Sequence, residues 1–240
     1  MKALLLVGGT GKRLRRIINN VPKPMAPVGG VPFLEFLVLQ LRSQGFEHLL
    51  MCTSYLSHLI EQHFGDGSRW QVNIEYSQEP LPLGTAGALK FASSRLASDQ
   101  DFIVLNGDSF LGFDFRLLVQ FHRERSAAAT LALLEVPDTC RYGTVEIDSD
   151  GALLRFREKN SDSAPGLING GVYVLNRRVL DLIAEGEVSL EKDTFPALVG
   201  HGLYGLLQQA PFVDIGVPED YEKAQKTSAM LQKLTGIPAL

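Results

Sequence analysis

Six residues, Lys2-Ala3-Leu4-Leu5-Leu6-Val7, form an apolar run that is cut off by Gly8-Gly9. A run of that length suits one buried strand and is too short for a core helix. Segments of strand and helix length then alternate. Apolar residues at helical spacing run from Phe33 to Gln44, and Gly45 closes them. Leu49–Thr53 is a predicted strand, Ser57–Phe64 a short helix and Val72–Tyr76 another strand. Gly84–Ala97 is rich in alanine and leucine and is predicted helical, and Phe102–Leu105 is a strand running into Asn106-Gly107-Asp108. Such alternation predicts parallel βαβ units.

The second half has a different rhythm. Ala129–Val136, Gly143–Ile147, Leu153–Arg157 and Gly171–Leu175 are strand-like, with Asp148-Ser149-Asp150-Gly151 as a hairpin turn. Arg177–Ala184 and Leu190–Leu198 are predicted helices, Leu203–Gln209 a strand and Asp220–Leu234 a closing amphipathic helix. There is no repeat, low-complexity tract or linker. The expected fold class is α/β, a three-layer α/β/α Rossmann-like mixed sheet in one domain. Residues 1–135 and residues 136–240 would form two functional lobes of that domain.

With 23 basic and 27 acidic residues, the net charge of -4 is too mild and too well mixed for a nucleic-acid partner. Any anion site must be local. The two cysteines, Cys52 and Cys140, lie in or beside apolar runs and are expected as small core residues. No apolar stretch approaches the roughly 20 residues of a membrane span, and the N-terminus lacks a signal peptide's length and cleavage site. The expectation is a cytoplasmic protein with no membrane partner. The last helix could serve as an interface between copies, so a homo-oligomer stays open.

After the first strand comes Leu6-Val7-Gly8-Gly9-Thr10-Gly11-Lys12-Arg13-Leu14. Glycines let backbone N–H groups approach a phosphate, and Arg13 can grip its oxygens with a planar fork. The spacing is not that of a P-loop. Leu14 stands where a dinucleotide fingerprint needs its third glycine. Ten residues beyond Arg13, Lys23 sits between Pro22 and Pro24, which stiffen the backbone around a point charge. The histidines lack metal-ligand spacing, and there is no G-x-S-x-G elbow.

Gly8-Gly9-Thr10-Gly11-Lys12-Arg13-Leu14 followed by Pro22-Lys23-Pro24 resembles the signature of the nucleotidyltransferases that make nucleotide sugars. The resemblance continues over nearly the whole chain. It implies the fold of the nucleotide-diphospho-sugar transferase type and Arg13 and Lys23 as the catalytic cations on a nucleoside triphosphate. It places Leu6, Gly8, Gly9, Thr10, Gly11, Glu79, Gly84 and Thr85 around the nucleotide. It implies Mg²⁺ held by Asp108 and Asp214. Tyr142, Gly143, Glu158, Lys159, Asn169 and Gly171 would meet a sugar 1-phosphate, with pyrophosphate as the other product.

Several stretches look specifically like bacterial enzymes that load D-glycero-D-manno-heptose 1-phosphate with a guanosine nucleotide. They are Arg141–Val145, Leu167–Tyr173, Ser189–Asp193 and Asp214–Tyr221. Glu79 agrees with guanine, whose N1–H and 2-amino group offer a carboxylate two adjacent donors. Relatives that handle mannose 1-phosphate with GTP, or N-acetylmuramate phosphate with UTP, remain alternatives. A non-catalytic regulatory subunit that binds nucleotide sugars would lack Arg13, Lys23 or a metal aspartate, and this chain has all four. Val7 departs from the family's usual alanine.

Overall fold

The computed structural model describes residues 1–9, 11, 13–14, 17–18, 20–157 and 164–237. It divides into two compact units. The first comprises Met1–Pro82, Leu105–Gly112 and Phe212–Leu240; the second comprises Leu83–Val104 and Phe113–Pro211.

In chain order the first unit begins with β1 (Ala3–Leu6), the two-residue strands β2 (Pro27–Val28) and β3 (Val31–Pro32), and helix α1 (Phe33–Ser43). Strand β4 (His48–Thr53), helix α2 (Ser57–Phe64) and strand β5 (Asn73–Gln78) follow. The second unit opens with α3 (Gly84–Phe91) and a 3-10 turn at Ser93–Leu96, before β6 (Asp101–Asn106) leads back to β7 (Ser109–Leu111) of the first. It resumes with α4 (Phe115–Glu124), β8 (Ala129–Val136), β9 (Thr144–Ile147), β10 (Leu153–Arg157), β11 (Gly166–Asn176) and α5 (Val179–Leu182). A π-helical turn at Leu190–Thr194 leads into α6 (Phe195–Leu198) and β12 (Leu203–Gln208). The chain closes in the first unit with β13 (Phe212–Asp214), α7 (Pro218–Lys226) and α8 (Ser228–Thr235).

In the first unit β4 is the shared neighbour, parallel to β1 (Leu4↔Leu50) and to β5 (Leu49↔Ile74). Helix α2 supplies the crossover between β4 and β5, which a parallel pair requires. Leu4, Leu5, Leu50 and Met51 are fully buried, as expected of strands covered on both faces. Helix α1 turns Phe33, Leu34, Phe36, Leu37, Val38 and Leu41 inward. In the second unit β8 is central, antiparallel to β11 and parallel to β12. Strands β11, β9 and β10 continue as antiparallel neighbours. The predicted turn at Asp148–Gly151 makes the β9–β10 connection, with Asp148 Oδ1 accepting from Asp150 N at 2.9 Å and Ala152 N at 2.9 Å.

The structure corrects several boundaries. The predicted closing helix is two helices. The Thr227 hydroxyl donates back to Ala224 O at 3.1 Å, and α8 starts at the next residue. The predicted helix over residues 190–198 starts as a wide π turn, because Pro196 has no N–H to return to the preceding turn. The helix predicted to Ala97 ends at Phe91, and only Val179–Leu182 of residues 177–184 is α-helical. Helix α4 escaped the sequence reading, although Asp114 caps it by accepting from Arg116 N at 3.0 Å. Cys52 is buried as expected, whereas Cys140 is only half-buried and its thiol donates to Asp138 Oδ2 at 3.3 Å. Among the described residues, no helix is long and apolar enough to cross a membrane.

Candidate active site

Parallel strands present their carboxyl ends along one edge, where ligands bind in open α/β sheets. In the first unit Gly8 follows β1, Ser54 follows β4 and Glu79 follows β5. The Glu79 backbone N–H donates to Thr53 O at 2.9 Å, and the residue is only 7% exposed. A Cβ on Gly8 would stand 3.1 Å from Glu79 Oε1 and 3.2 Å from Ser54 Cβ. Gly8 therefore lets the glycine loop lie directly against the carboxylate. Beside it Ser54, Tyr55, Gln78, Glu79, Pro80 and Pro82 line a cleft of about 550 Å³, a size that suits a nucleobase-sized ligand. Gln78 Nε2 donates to Ser57 Oγ at 2.9 Å, which holds the turn after β4 against the end of β5.

The glycine loop and the lysine loop meet at Gly11. Its φ of +60° needs a glycine, and a Cβ there would stand 3.1 Å from Lys23 Cβ. Leu14, in the place of a third fingerprint glycine, is buried and its N–H donates to Gly11 O at 3.0 Å. Arg13, the residue before it, is exposed. Lys23 lies in a 3-10 turn closed by Met25 N donating to Pro22 O at 2.8 Å. The hairpin that follows is tied down from the C-terminal helix: Tyr221 donates to Pro27 O at 2.5 Å, and Gln225 Nε2 to the same oxygen at 2.6 Å. Burial pushes the Tyr221 phenol pKa upward, so it remains a donor at neutral pH.

Lys23 Nζ lies 2.5 Å from Asp108 Oδ2, with the lysine side chain 15% exposed and the aspartate 38%. Asp108 reaches this point because Gly107 N donates to Leu6 O at 3.0 Å. A Cβ on Gly107 would stand 2.6 Å from Val7 Cγ1 and 2.8 Å from Leu6 O. Gly107→Ala is therefore expected to destabilise the protein by about 1–3 kcal/mol in urea unfolding, and an unchanged midpoint would contradict this packing. Asp214 arrives beside Asp108 on β13, which pairs with β7 (Asp214↔Ser109), and Ile215 N donates to Asp108 O at 3.0 Å. Asp214 Oδ1 accepts from Gly216 N. A Cβ on Gly216 would stand 2.6 Å from Asp214 Oδ1 and 3.5 Å from Lys23 Nζ. The Lys23 ammonium thus pairs with Asp108, and the Gly216 backbone lies against Asp214 near that ammonium.

Asp108 and Asp214 are the two carboxylates that would hold a magnesium ion, a hard cation that takes one or two carboxylates and keeps several waters. Among the described residues, no group of three or more His, Cys, Asp or Glu could hold a metal, so an all-protein cage is not built here.

The second unit carries the remaining described candidates. Gly84 has φ of +72° and abuts Val188 O, which a Cβ would approach to 2.5 Å. The Thr85 hydroxyl is already engaged: it accepts from Leu190 N at 2.7 Å and donates to Glu191 Oε2 at 2.8 Å. Tyr142 N donates to Thr139 O at 2.9 Å, and the Arg141 guanidinium lies 5.8 Å from the Tyr142 ring centre. A Cβ on Gly143 would stand 3.2 Å from Arg157 O, so this glycine lies against the last described residue of β10. Asn169 and Gly171 sit at the irregularity in β11, where Asn169 Oδ1 accepts from Gly171 N at 2.9 Å. Thr10, Glu158 and Lys159 lie outside the described residues. Sequence reasoning missed Ser54, Tyr55 and Gln78 on the cleft wall, and it gave Glu191 no role. The polar run Ser189–Asp193 was the only signal for the last.

The model of the nucleotidyl transferase family matches residues 2–230. The mannose-1-phosphate guanylyltransferase of Mycobacterium tuberculosis is 39% identical over 99% of this chain and 67% of that protein. The D-glycero-alpha-D-manno-heptose 1-phosphate guanylyltransferase of Aneurinibacillus thermoaerophilus is 40% identical over 94% of this chain and 97% of that one. Among solved structures, HddC from Yersinia pseudotuberculosis superposes with a TM-score of 0.85 and 31% identity, covering 95% of this chain and 99% of that one. HddC complexed with GMP-PN gives a TM-score of 0.83. The glycine loop, the lysine between its prolines and the two aspartates therefore stand in a chain that belongs to the nucleotidyl transferase family.

Proposed function

We propose that this chain transfers a guanylyl group from GTP to a sugar 1-phosphate, D-glycero-α-D-manno-heptose 1-phosphate, and releases pyrophosphate. The observation that carries this reading is the Lys23 ammonium paired with Asp108, with Asp214 brought next to Asp108 by β13 and a glycine loop lying against the buried Glu79. Both relatives named above, at 39% and 40% identity, are named guanylyltransferases. The heptose reading rests on the 40% identity to the heptose relative and on the stretches Arg141–Val145, Leu167–Tyr173, Ser189–Asp193 and Asp214–Tyr221. Mannose 1-phosphate is the second reading, on the 39% identity that spans 99% of the chain.

An oxygen of the sugar phosphate attacks the α-phosphorus in line. A new P–O bond forms, the bond to the β-phosphate oxygen breaks, and its electron pair leaves with pyrophosphate. The sugar phosphate is already ionised near neutral pH, so no general base is required. Positioning and charge neutralisation supply the catalysis. Glu79 accepts from N1–H and the 2-amino group of guanine, and Gly8 lets the loop backbone pass beside it. Arg13 and Lys23 neutralise phosphate oxygens. Asp108 and Asp214 would hold Mg²⁺, which would supply positive charge to offset that of the phosphates. Lys159 aligns the incoming phosphate, Glu158 accepts sugar hydroxyls, and Tyr142, Gly143, Asn169 and Gly171 line the sugar.

The test is pyrophosphate release across GTP, ATP, UTP, CTP and dTTP with heptose, mannose and glucose 1-phosphates, with and without Mg²⁺. Turnover with GTP and heptose 1-phosphate is expected. Turnover confined to another pair overturns the specificity, and silence from folded protein overturns the activity.

A further inference from the structure

The segment Ser189-Leu190-Glu191-Lys192-Asp193 has no place in the chemistry above, yet its carboxylate gathers an unusual set of donors. Thr85 Oγ1 donates to Glu191 Oε2 at 2.8 Å, and Ser189 Oγ donates to the same oxygen at 3.0 Å. The Tyr173 hydroxyl donates to Glu191 Oε1 at 3.3 Å. A hydroxyl can point its one proton in one direction only, and a carboxylate can only accept.

Each hydroxyl is also an acceptor from elsewhere. Thr85 accepts from Leu190 N at 2.7 Å, Ser189 from Lys192 N at 3.1 Å and Tyr173 from Asn169 Nδ2 at 2.8 Å. The Asn169 amide is oriented in turn by Gly171 N donating to its oxygen at 2.9 Å. The direction of every hydrogen bond from Asn169 to Thr85 therefore follows from Glu191 being an acceptor on both oxygens. Such a network fixes geometry more firmly than its separate bonds.

The two ends of the network matter. Thr85 is the second residue of α3, in the Gly84–Thr85 segment that the proposed reading gives to the nucleotide. Asn169 stands at the irregularity of β11, half-buried, with its amide aimed at Tyr173. Tyr173 cannot follow a shift of its partners, being fully buried with its ring 5.1 Å from that of Phe195.

We infer that Glu191 is a positioning residue: it holds the start of α3 and the irregularity of β11 in one fixed arrangement, and through Thr85 and Asn169 it sets the geometry offered to both substrates. This rests on the proposed reading, in which the Gly84–Thr85 segment serves the nucleotide and Asn169 the sugar phosphate. Glu191 is not the only anchor of this region. The start of α3 is held independently by Ala86 N and Gly87 N donating to Val188 O at 2.9 and 3.1 Å, and by Val188 N donating to Leu83 O at 2.8 Å.

Steady-state kinetics with both substrates varied, on wild type, Glu191→Gln, Tyr173→Phe and Thr85→Val, test the inference. Glutamine keeps the size and turns one acceptor into a donor, so one hydroxyl must face an N–H group. Glu191→Gln is expected to raise both KM values about tenfold. Tyr173→Phe should raise KM for the sugar phosphate alone, and Thr85→Val KM for the nucleotide alone. Both KM values within twofold of wild type in Glu191→Gln, with only a lower melting temperature, would reduce the residue to packing. A rise in only one of them would overturn the link between the two ends. Wild-type protein that is silent on every substrate pair defeats the proposed reading and this inference with it, which separates that failure from active wild type with unmoved variants.

Discussion

Lys23→Met lowers turnover with GTP and sugar phosphate by about 10²–10³-fold, the scale for removing one preorganised charge from a transition state. That corresponds to roughly 3–4 kcal/mol of barrier. Methionine keeps the length and the apolar stem, so the loop between Pro22 and Pro24 has little reason to move. A second readout separates charge from shape. The ammonium sits 2.5 Å from Asp108 Oδ2, where it would compete with a divalent ion. Removing it should tighten Mn²⁺ binding to the nucleotide-free protein, followed by electron paramagnetic resonance of the free ion. Unchanged Mn²⁺ affinity together with near-normal turnover would remove Lys23 from the site.

Glu79→Gln should cost about 10²–10³-fold in kcat/KM with GTP. The carboxylate is 7% exposed, and an amide in its place sets an N–H group against a donor of guanine in a site with little water to compensate. Inosine triphosphate, whose base lacks the 2-amino group, separates this from general damage. Wild type should prefer GTP over it by roughly 10–10²-fold, as expected for one lost hydrogen bond to a charged group. The variant should bring the two within a few-fold. An equal loss on both nucleotides would mean that Glu79 supports the loop at Gly8 and does not select the base.

The alternation of strands and helices was legible because β1 and β4 are short apolar runs ended by a glycine or polar residue. Leu4–Leu5 and Leu50–Met51 could hardly be placed anywhere but inside. The glycine loop, Lys23, Asp108 and Asp214 were legible as residue types at stated places. Their meeting depends on two-residue and three-residue strands such as β7 and β13, which carry no periodicity to detect. Helix α4 escaped because its buried positions, Phe115, Leu118 and His122, are few and include a histidine. The break at Thr227 turns on a single side chain bonding to its own helix. Glu191 could not be found by pattern. Its role arises from residues 85, 169, 173 and 189, which only folding gathers.

The order in which the first unit is made along the chain has a consequence for its synthesis. Its glycine loop, Lys23 and Glu79 are all translated by Pro82, yet Asp214 and the Tyr221 and Gln225 clamp on Pro27 arrive only in the last segment, after Pro211. At bacterial or eukaryotic elongation rates the ribosome spends roughly 6–26 s on the residues in between. For that interval the nascent chain carries a glycine loop and a lysine hairpin that lack their second carboxylate and their tether. A chain halted anywhere before residue 212 lacks Asp214 and the clamp on Pro27, so the two aspartates cannot come together until that segment has been made.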